Sequence, residues 1–161
     1  RFDDQKGIVH LVAVIKDLQD MPQYHFHVIG GGRLQEMVDR ELGGLPNVTV
    51  RPPLYGISGY LASFDYMFMP SEFEGLPLMS VEAAFAGLPV VCSGCKGLNE
   101  TVPKDWPLVA HDNSHEQYFH IFRSVIPNAE RTMLSQQARQ FVAVRFGVEQ
   151  MQRKYEKLYL G

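Results

Sequence analysis

The stretch Tyr66-Met67-Phe68-Met69-Pro70-Ser71-Glu72-Phe73-Glu74-Gly75-Leu76-Pro77-Leu78-Met79-Ser80-Val81-Glu82-Ala83-Ala84 decides the fold. Its first four residues are apolar and read as a buried strand. A loop rich in glycine and proline follows, then an alanine-rich segment that reads as a helix. A strand running through a tight loop into a helix is the repeating unit of a parallel α/β sheet. The two glutamates, Glu74 on the loop and Glu82 in the helix, would then lie at the mouth of that sheet.

Physical chemistry narrows what such a mouth could hold. A helix that begins directly after a glycine-containing loop presents unpaired backbone N–H groups and the positive end of its dipole, and both favour a phosphate. Carboxylates beside a phosphate would repel it unless they face hydroxyls on either side. An ionised carboxylate accepts from two neighbouring sugar hydroxyls, and such charge-assisted bonds contribute about 1.5–3 kcal/mol each. A ligand that runs hydroxyls, diphosphate, hydroxyls is a nucleotide sugar.

These residues resemble a known family. Glu74 to Glu82 fits the E-x7-E signature of retaining glycosyltransferases of the GT-B fold, especially glycosyltransferase family four, also called the glycosyl transferases group 1. Pro70-Ser71 and Gly87-Leu88-Pro89-Val90-Val91 fit its wider pattern. Arg1-Phe2-Asp3-Asp4-Gln5-Lys6-Gly7 is similar to the segment that opens the donor-binding domain there. His25-Phe26-His27-Val28-Ile29-Gly30-Gly31-Gly32 and Gly97-Leu98-Asn99-Glu100 resemble two further landmarks, in the same order along the chain.

The resemblance implies roles. Arg1 and Lys6 would contact the donor diphosphate, Glu74 the transferred sugar as the catalytic position, and Glu82 the ribose hydroxyls. Backbone N–H groups of Gly75, Leu76 and Leu78 would complete the cradle, and Arg51-Pro52-Pro53-Leu54 falls where the family often holds the base. Cleavage of the bond between the anomeric carbon and a diphosphate oxygen puts negative charge on the leaving group, so cations and aimed N–H dipoles are the groups the reaction needs. No DxD metal motif is present, so the resemblance implies metal-independent transfer of a hexose from a UDP-sugar or GDP-sugar, with no cofactor.

Composition sets the remaining bounds. A chain of 161 residues with 45% hydrophobic content is expected to form a single nucleotide-sugar-binding domain spanning residues 1–161. The net charge of −3, with lysines and arginines scattered, gives no stripe for nucleic acid. No apolar run approaches the roughly 20 residues that span a bilayer, and no signal peptide opens the chain. The expected location is cytoplasmic, at the inner face of the membrane if the parent protein associates with it peripherally.

A pass along the chain alternates helix and strand. Helices are expected at 8–18, 33–42, 57–62, 79–86, 114–125, 130–144 and 148–159, and strands at 25–29, 48–51, 66–69, 89–92 and 107–110. This is an α/β chain with a Rossmann-like doubly wound parallel sheet, the C-terminal half of a GT-B fold. In the family a central strand leads into the residues that match Arg1 and Lys6, so the chain reads as a fragment of a two-domain enzyme. The acceptor, a cell-surface polysaccharide or lipid-linked glycan, would be bound by the N-terminal domain, and the isolated fragment is expected to be inactive.

Other motifs have ordinary explanations. Gly30-Gly31-Gly32 lacks the third small residue of a dinucleotide fingerprint, because Gln35 stands there, and reads as a tight turn that lets the domain approach its ligand. Cys92 and Cys95 have redox spacing but no helix follows, and two free thiols fit a reducing compartment. His111 and His115 fall on either side of a helix start, so they do not share a face for a metal. Pro77 removes one N–H from the cradle, while Leu76 and Lys96 replace residues frequent in the family. Tyr155, Leu158 and Tyr159 of the last helix are expected to stay partly uncovered. The competing readings are a non-catalytic binding module on the same scaffold and a nucleotide-sugar epimerase.

Overall fold

A computed structural model describes residues 1–160, the last without its side chain. Five strands run β1 Phe26–Ile29, β2 Val48–Arg51, β3 Met67–Met69, β4 Val90–Ser93 and β5 Val109–Ala110. Six helices run α1 Ile8–Asp17, α2 Gln35–Leu42, α3 Leu78–Ala86, α4 His115–His120, α5 Arg131–Phe146 and α6 Val148–Leu160. A 3-10 turn Asp4–Lys6 precedes α1, a longer 3-10 segment Ile57–Ser63 precedes β3, and a π-helical stretch Ile121–Val125 extends α4.

All strand pairings are parallel, and β-strands alternate with helices as the sequence predicts. The strands nevertheless form two ladders, β1-β2 and β3-β4-β5, where one sheet was expected. The N–H groups of Phe26 and Gly30 bond to Asn47 and Arg51 on the β2 side, and that of Met67 bonds to Pro89 on the β4 side. In a parallel ladder alternate residues turn to opposite neighbours, so His27 and Ile29 of β1, and Phe68 of β3, direct their main-chain groups to the free edges. The first residues of the chain lie along the end of one such edge. There the Phe2 N–H donates to the Gly31 carbonyl, and the Leu34 N–H donates to the Phe2 carbonyl.

Each ladder has its own core. Phe2, Ile8, Val12, Ile15, Val28, Val38 and Leu42 pack around β1-β2, while β3-β4-β5 sits among residues of α3, α4 and α5 with Trp106 and Leu108. Helix α1 and Leu18, the residue that ends it, join the two, because Val14 and Leu18 belong to the larger cluster and Ile8, Val12 and Ile15 to the smaller. Burying a side chain such as the fully covered Leu18 is worth about 1.5–3 kcal/mol, so the double-faced apolar pattern of α1 is what unites the two halves. The edge-to-face rings of Phe26, Phe68 and Phe122 add to the same junction.

The glycine-rich turn is needed within the chain itself. A Cβ on Gly30 would lie 2.7 Å from the Phe2 ring, and one on Gly32 would lie 2.7 Å from the Phe2 carbonyl oxygen. These glycines make room for Phe2, a neighbour within the chain. Two further glycines admit close crossings near the acid loop. Gly7, at φ 63°, brings its α-carbon against the Pro70 carbonyl, and a Cβ on Gly97, at φ 93°, would clash with the Glu74 carbonyl oxygen.

The last helix is as expected at its exposed side: Tyr155, Leu158 and Tyr159 are 54%, 79% and 78% exposed, so nothing among the described residues covers that stripe. No described helix is long and apolar enough to cross a membrane.

Gly97→Ala is expected to lower unfolding stability by about 2–4 kcal/mol, combining a left-handed backbone with a clash against main chain. Urea unfolding checks this. Gly59→Ala, whose Cβ would meet nothing within 4 Å, is the control and should fall within about 1 kcal/mol of wild type.

Candidate functional site

The site begins where β3 ends. Pro70 and Ser71 leave the strand buried, and the chain turns through Glu72 to Leu76 before Pro77 caps α3. Pro77 suits that place because its missing N–H is not needed there, and its carbonyl accepts from Ser80 N–H. Ser93 and Gly94 lie at the carboxyl end of β4 beside the same loop, as ligand sites of parallel sheets do.

Glu74 is the most enclosed acid of the loop, its side chain only 7% exposed. Lys6 Nζ donates to its Oε1 at 2.6 Å, and Ser71 Oγ donates to the same oxygen at 2.8 Å. The Glu74 N–H donates to the Lys96 carbonyl at 3.3 Å. Lys6 is aimed by its own turn: Asp3 caps that turn through Oδ1 to the Lys6 N–H, and Gly7 then starts α1 against Pro70.

The two segments are stitched together further out. Glu72 N–H donates to the Gln5 carbonyl at 2.8 Å, Gln5 Nε2 donates to the Phe73 carbonyl at 3.2 Å, and His10 Nε2 lies 2.8 Å from Glu72 Oε1. Glu82 lies one turn into α3 and is half-buried. Its Oε2 accepts from Ser58 Oγ at 2.6 Å, so the 3-10 segment Ile57–Ser63 forms the second flank of the site.

Not every expected residue gathers here. Lys6 and Glu74 meet directly, but Arg1 turns to Asp3 and Gln5, and its side chain is 71% exposed. It stands on the rim. Between the acids, Leu76 and Leu78 are exposed, and a Cβ on Gly75 would meet nothing within 4 Å. Among the described residues no partner takes the N–H groups of Gly75, Leu76 or Leu78, which leaves three donors of the loop free.

Two hollows lie elsewhere. One of about 480 Å³ is lined by Val12, Lys16, Met37 and His115, the other of about 280 Å³ by Gly94, Asn99, His111 and Arg145, and neither includes Glu74 or Glu82. The acid loop is an open face rather than a closed cavity. The loop is the candidate site because its acids, Lys6 and Ser71 gather at the carboxyl ends of parallel strands, where ligands of such sheets bind.

Sequence reasoning missed Ser58 and Ser93, and it used Ser71 only as a landmark. Serines carry no periodic or spacing signal, and Ser58 meets Glu82 only through the fold.

The remaining motifs are quiet. Cys92 and Cys95 are free thiols, and burial pushes Cys92 up to about 12, with the neighbouring Cys95 adding to the shift. Ser114 caps α4, so His111 precedes the helix while His115 opens it and lies 2.7 Å from Asp17 Oδ2. His25 and His27 share a strand face with ring centres 4.9 Å apart, and burial, then His25 and Arg51, holds His27 below the usual histidine range. No group of three or more potential metal ligands occurs among the described residues.

The model of the family described as "Glycosyl transferases group 1" matches residues 1–126. The chain belongs to that family. Among similar curated proteins, the putative teichuronic acid biosynthesis glycosyltransferase TuaC of Bacillus subtilis is 30% identical over 114 residues, 71% of this chain and 28% of its own length. The 2-deoxystreptamine glucosyltransferase of Streptomyces kanamyceticus is 29% identical over 156 residues, 92% of this chain and 40% of its own length. Among solved structures, the HepE protein of Anabaena in complex with UDP-glucose superposes at TM-score 0.79 and 22% identity, covering 98% of this chain and 46% of that one. Those structural likenesses establish the GT-B type of fold. This group 1 chain spans less than half the length of each of these relatives.

Removing Lys6 should cost more than removing an exposed ion-pair partner. Lys6→Met strands a nearly buried carboxylate and is expected to lower stability by about 1–3 kcal/mol. Lys16→Met breaks the open Lys16–Glu41 pair and should cost less than about 1 kcal/mol. Equal losses in parallel urea melts would contradict the enclosed geometry.

Proposed function

We propose that the chain is the donor-binding domain of a retaining, metal-independent glycosyltransferase that moves a hexose from a UDP-sugar or GDP-sugar to a glycan or lipid-linked acceptor. The observation that carries this reading is the Lys6–Glu74 pair seated beside three unpartnered N–H groups at the start of α3. A lysine ammonium has three donors, and one is used on Glu74. The others are left for a diphosphate, whose growing charge the loop N–H groups would share as the bond to the anomeric carbon breaks.

The carboxylates fit the rest of such a donor. Glu82, half-buried on one flank with only a serine hydroxyl on it, suits the ribose hydroxyls, and Glu74, tucked against Lys6, suits the sugar. Arg1, exposed on the rim, would add its charge to the diphosphate.

In this reading the domain works within a longer protein, whose other domain would cover the open face and bind the acceptor. The short coverage of the relatives and the unpaired edges of β1 and β3 support that arrangement. Transfer would take place in the cytoplasm, with no cofactor.

Calorimetry of the chain with UDP and with GDP tests the assignment. Glu82→Ala should weaken nucleotide binding by about 1.5–3 kcal/mol, the value of charge-assisted bonds to ribose. Unchanged affinity would remove Glu82 from the site. In the longer protein, Glu74→Ala should abolish transfer while nucleotide affinity changes little; transfer that survives this change would contradict the assigned role.

A further inference from the structure

Both hydrogen bonds that the protein makes to the Glu74 carboxylate converge on one oxygen. Lys6 Nζ and Ser71 Oγ each donate to Oε1, at 2.6 and 2.8 Å, and no described side chain donates to Oε2. Lys6 comes from another segment and is mobile in principle, because its side chain is 28% exposed. Ser71 is different. It is 1% exposed, three residues from Glu74 on the same turn, and its own carbonyl accepts from Ser93 Oγ at 2.6 Å. Ser93 is itself fully buried at the end of β4. A rigid strand end therefore fixes Ser71, and Ser71 fixes the carboxylate.

We infer that Ser71 is a positioning residue, which locks Oε1 of Glu74 so that Oε2 is presented to a hydroxyl of the transferred sugar. The inference rests on the proposed donor site and deepens it. It assigns to Ser71, backed by Ser93, the discrimination between a nucleotide that carries a sugar and one that does not.

Two chemical consequences separate this role from simple support of the fold. When Lys6 shares its ammonium between Glu74 and a diphosphate, Ser71 is the donor committed wholly to keeping Oε1 in place. A carboxylate without it would rotate about its last side-chain torsion, which is broad, and the oxygen offered to the sugar would lose its direction. A bare nucleoside diphosphate has no hydroxyl at that position. Its affinity would not sense the loss.

The test uses the 161-residue chain and two matched ligand pairs, UDP-glucose with UDP and GDP-mannose with GDP, titrated by calorimetry. For the pair that wild type binds, Ser71→Ala should weaken the sugar nucleotide about 5-fold to 20-fold and the bare nucleotide less than 2-fold. Ser71→Thr, which keeps the hydroxyl, should restore at least half of that selectivity. If Ser71→Ala fails to fold, Ser71→Cys, close to serine in size but a weak donor, should show the same selective loss. Equal weakening of both ligands, or a sugar preference unchanged in the folded variant, would overturn the inference while leaving the donor site standing. Absence of wild-type binding to all four ligands would bring down the functional reading, and this inference with it.

Discussion

A lysine from the first turn of the chain reaches a nearly buried carboxylate at the end of β3, and the site depends on that approach. Ammonium and carboxylate groups resist leaving water unless each finds a partner in good geometry. Here the partners are delivered by main chain. Gly7 lets the first turn lie directly on Pro70, Gly97 lets the loop after β4 cross the Glu74 peptide, and the bonds among Gln5, Glu72 and Phe73 close the seam. A side chain on either glycine would push these segments apart and open the acid to water.

This packing also explains how two short ladders behave as one body. No hydrogen bond joins β1 to β3 within the described ladders, so their relative position is set by side chains: α1 contributes to both cores, and Phe26 rests against Phe122, which also meets Phe68. The acid loop grows from one half and Lys6 from the turn that opens α1. The chemistry therefore sits at the seam. Binding of a ligand that bridges Lys6 and the loop would tie the two halves together and stabilise the fold by mass action.

Much of this was legible in the sequence. Short apolar runs bounded by turn residues marked all five strands, and β2 falls at the residues expected, because the strand signal is local. Helix α3 was legible for a related reason: an alanine-rich segment follows a loop marked by glycine and proline. Glu74 and Glu82 stood out through their spacing around that loop. The division into two ladders was not legible, since pairing depends on which edges meet in space. Nor were the serines that hold the acids, since Ser58 meets Glu82 from 24 positions away, Ser93 braces Ser71 from 22 away, and Ser71 reaches Glu74, three residues on, only through the shape of the turn; the reason for Gly30 and Gly32 lies in an aromatic ring that no local pattern connects to them.

The central claim is that the open turn between Glu74 and α3 receives the diphosphate of a nucleotide sugar. Titration of the isotope-labelled chain with UDP-glucose and GDP-mannose, followed through its backbone amide resonances, tests it most directly. The account predicts that the amides of Gly75, Leu76 and Leu78 shift first and furthest, together with residues of the turn that carries Lys6. Saturable shifts confined to the hollow around Lys16, Met37 and His115, with the acid loop unmoved, would contradict it.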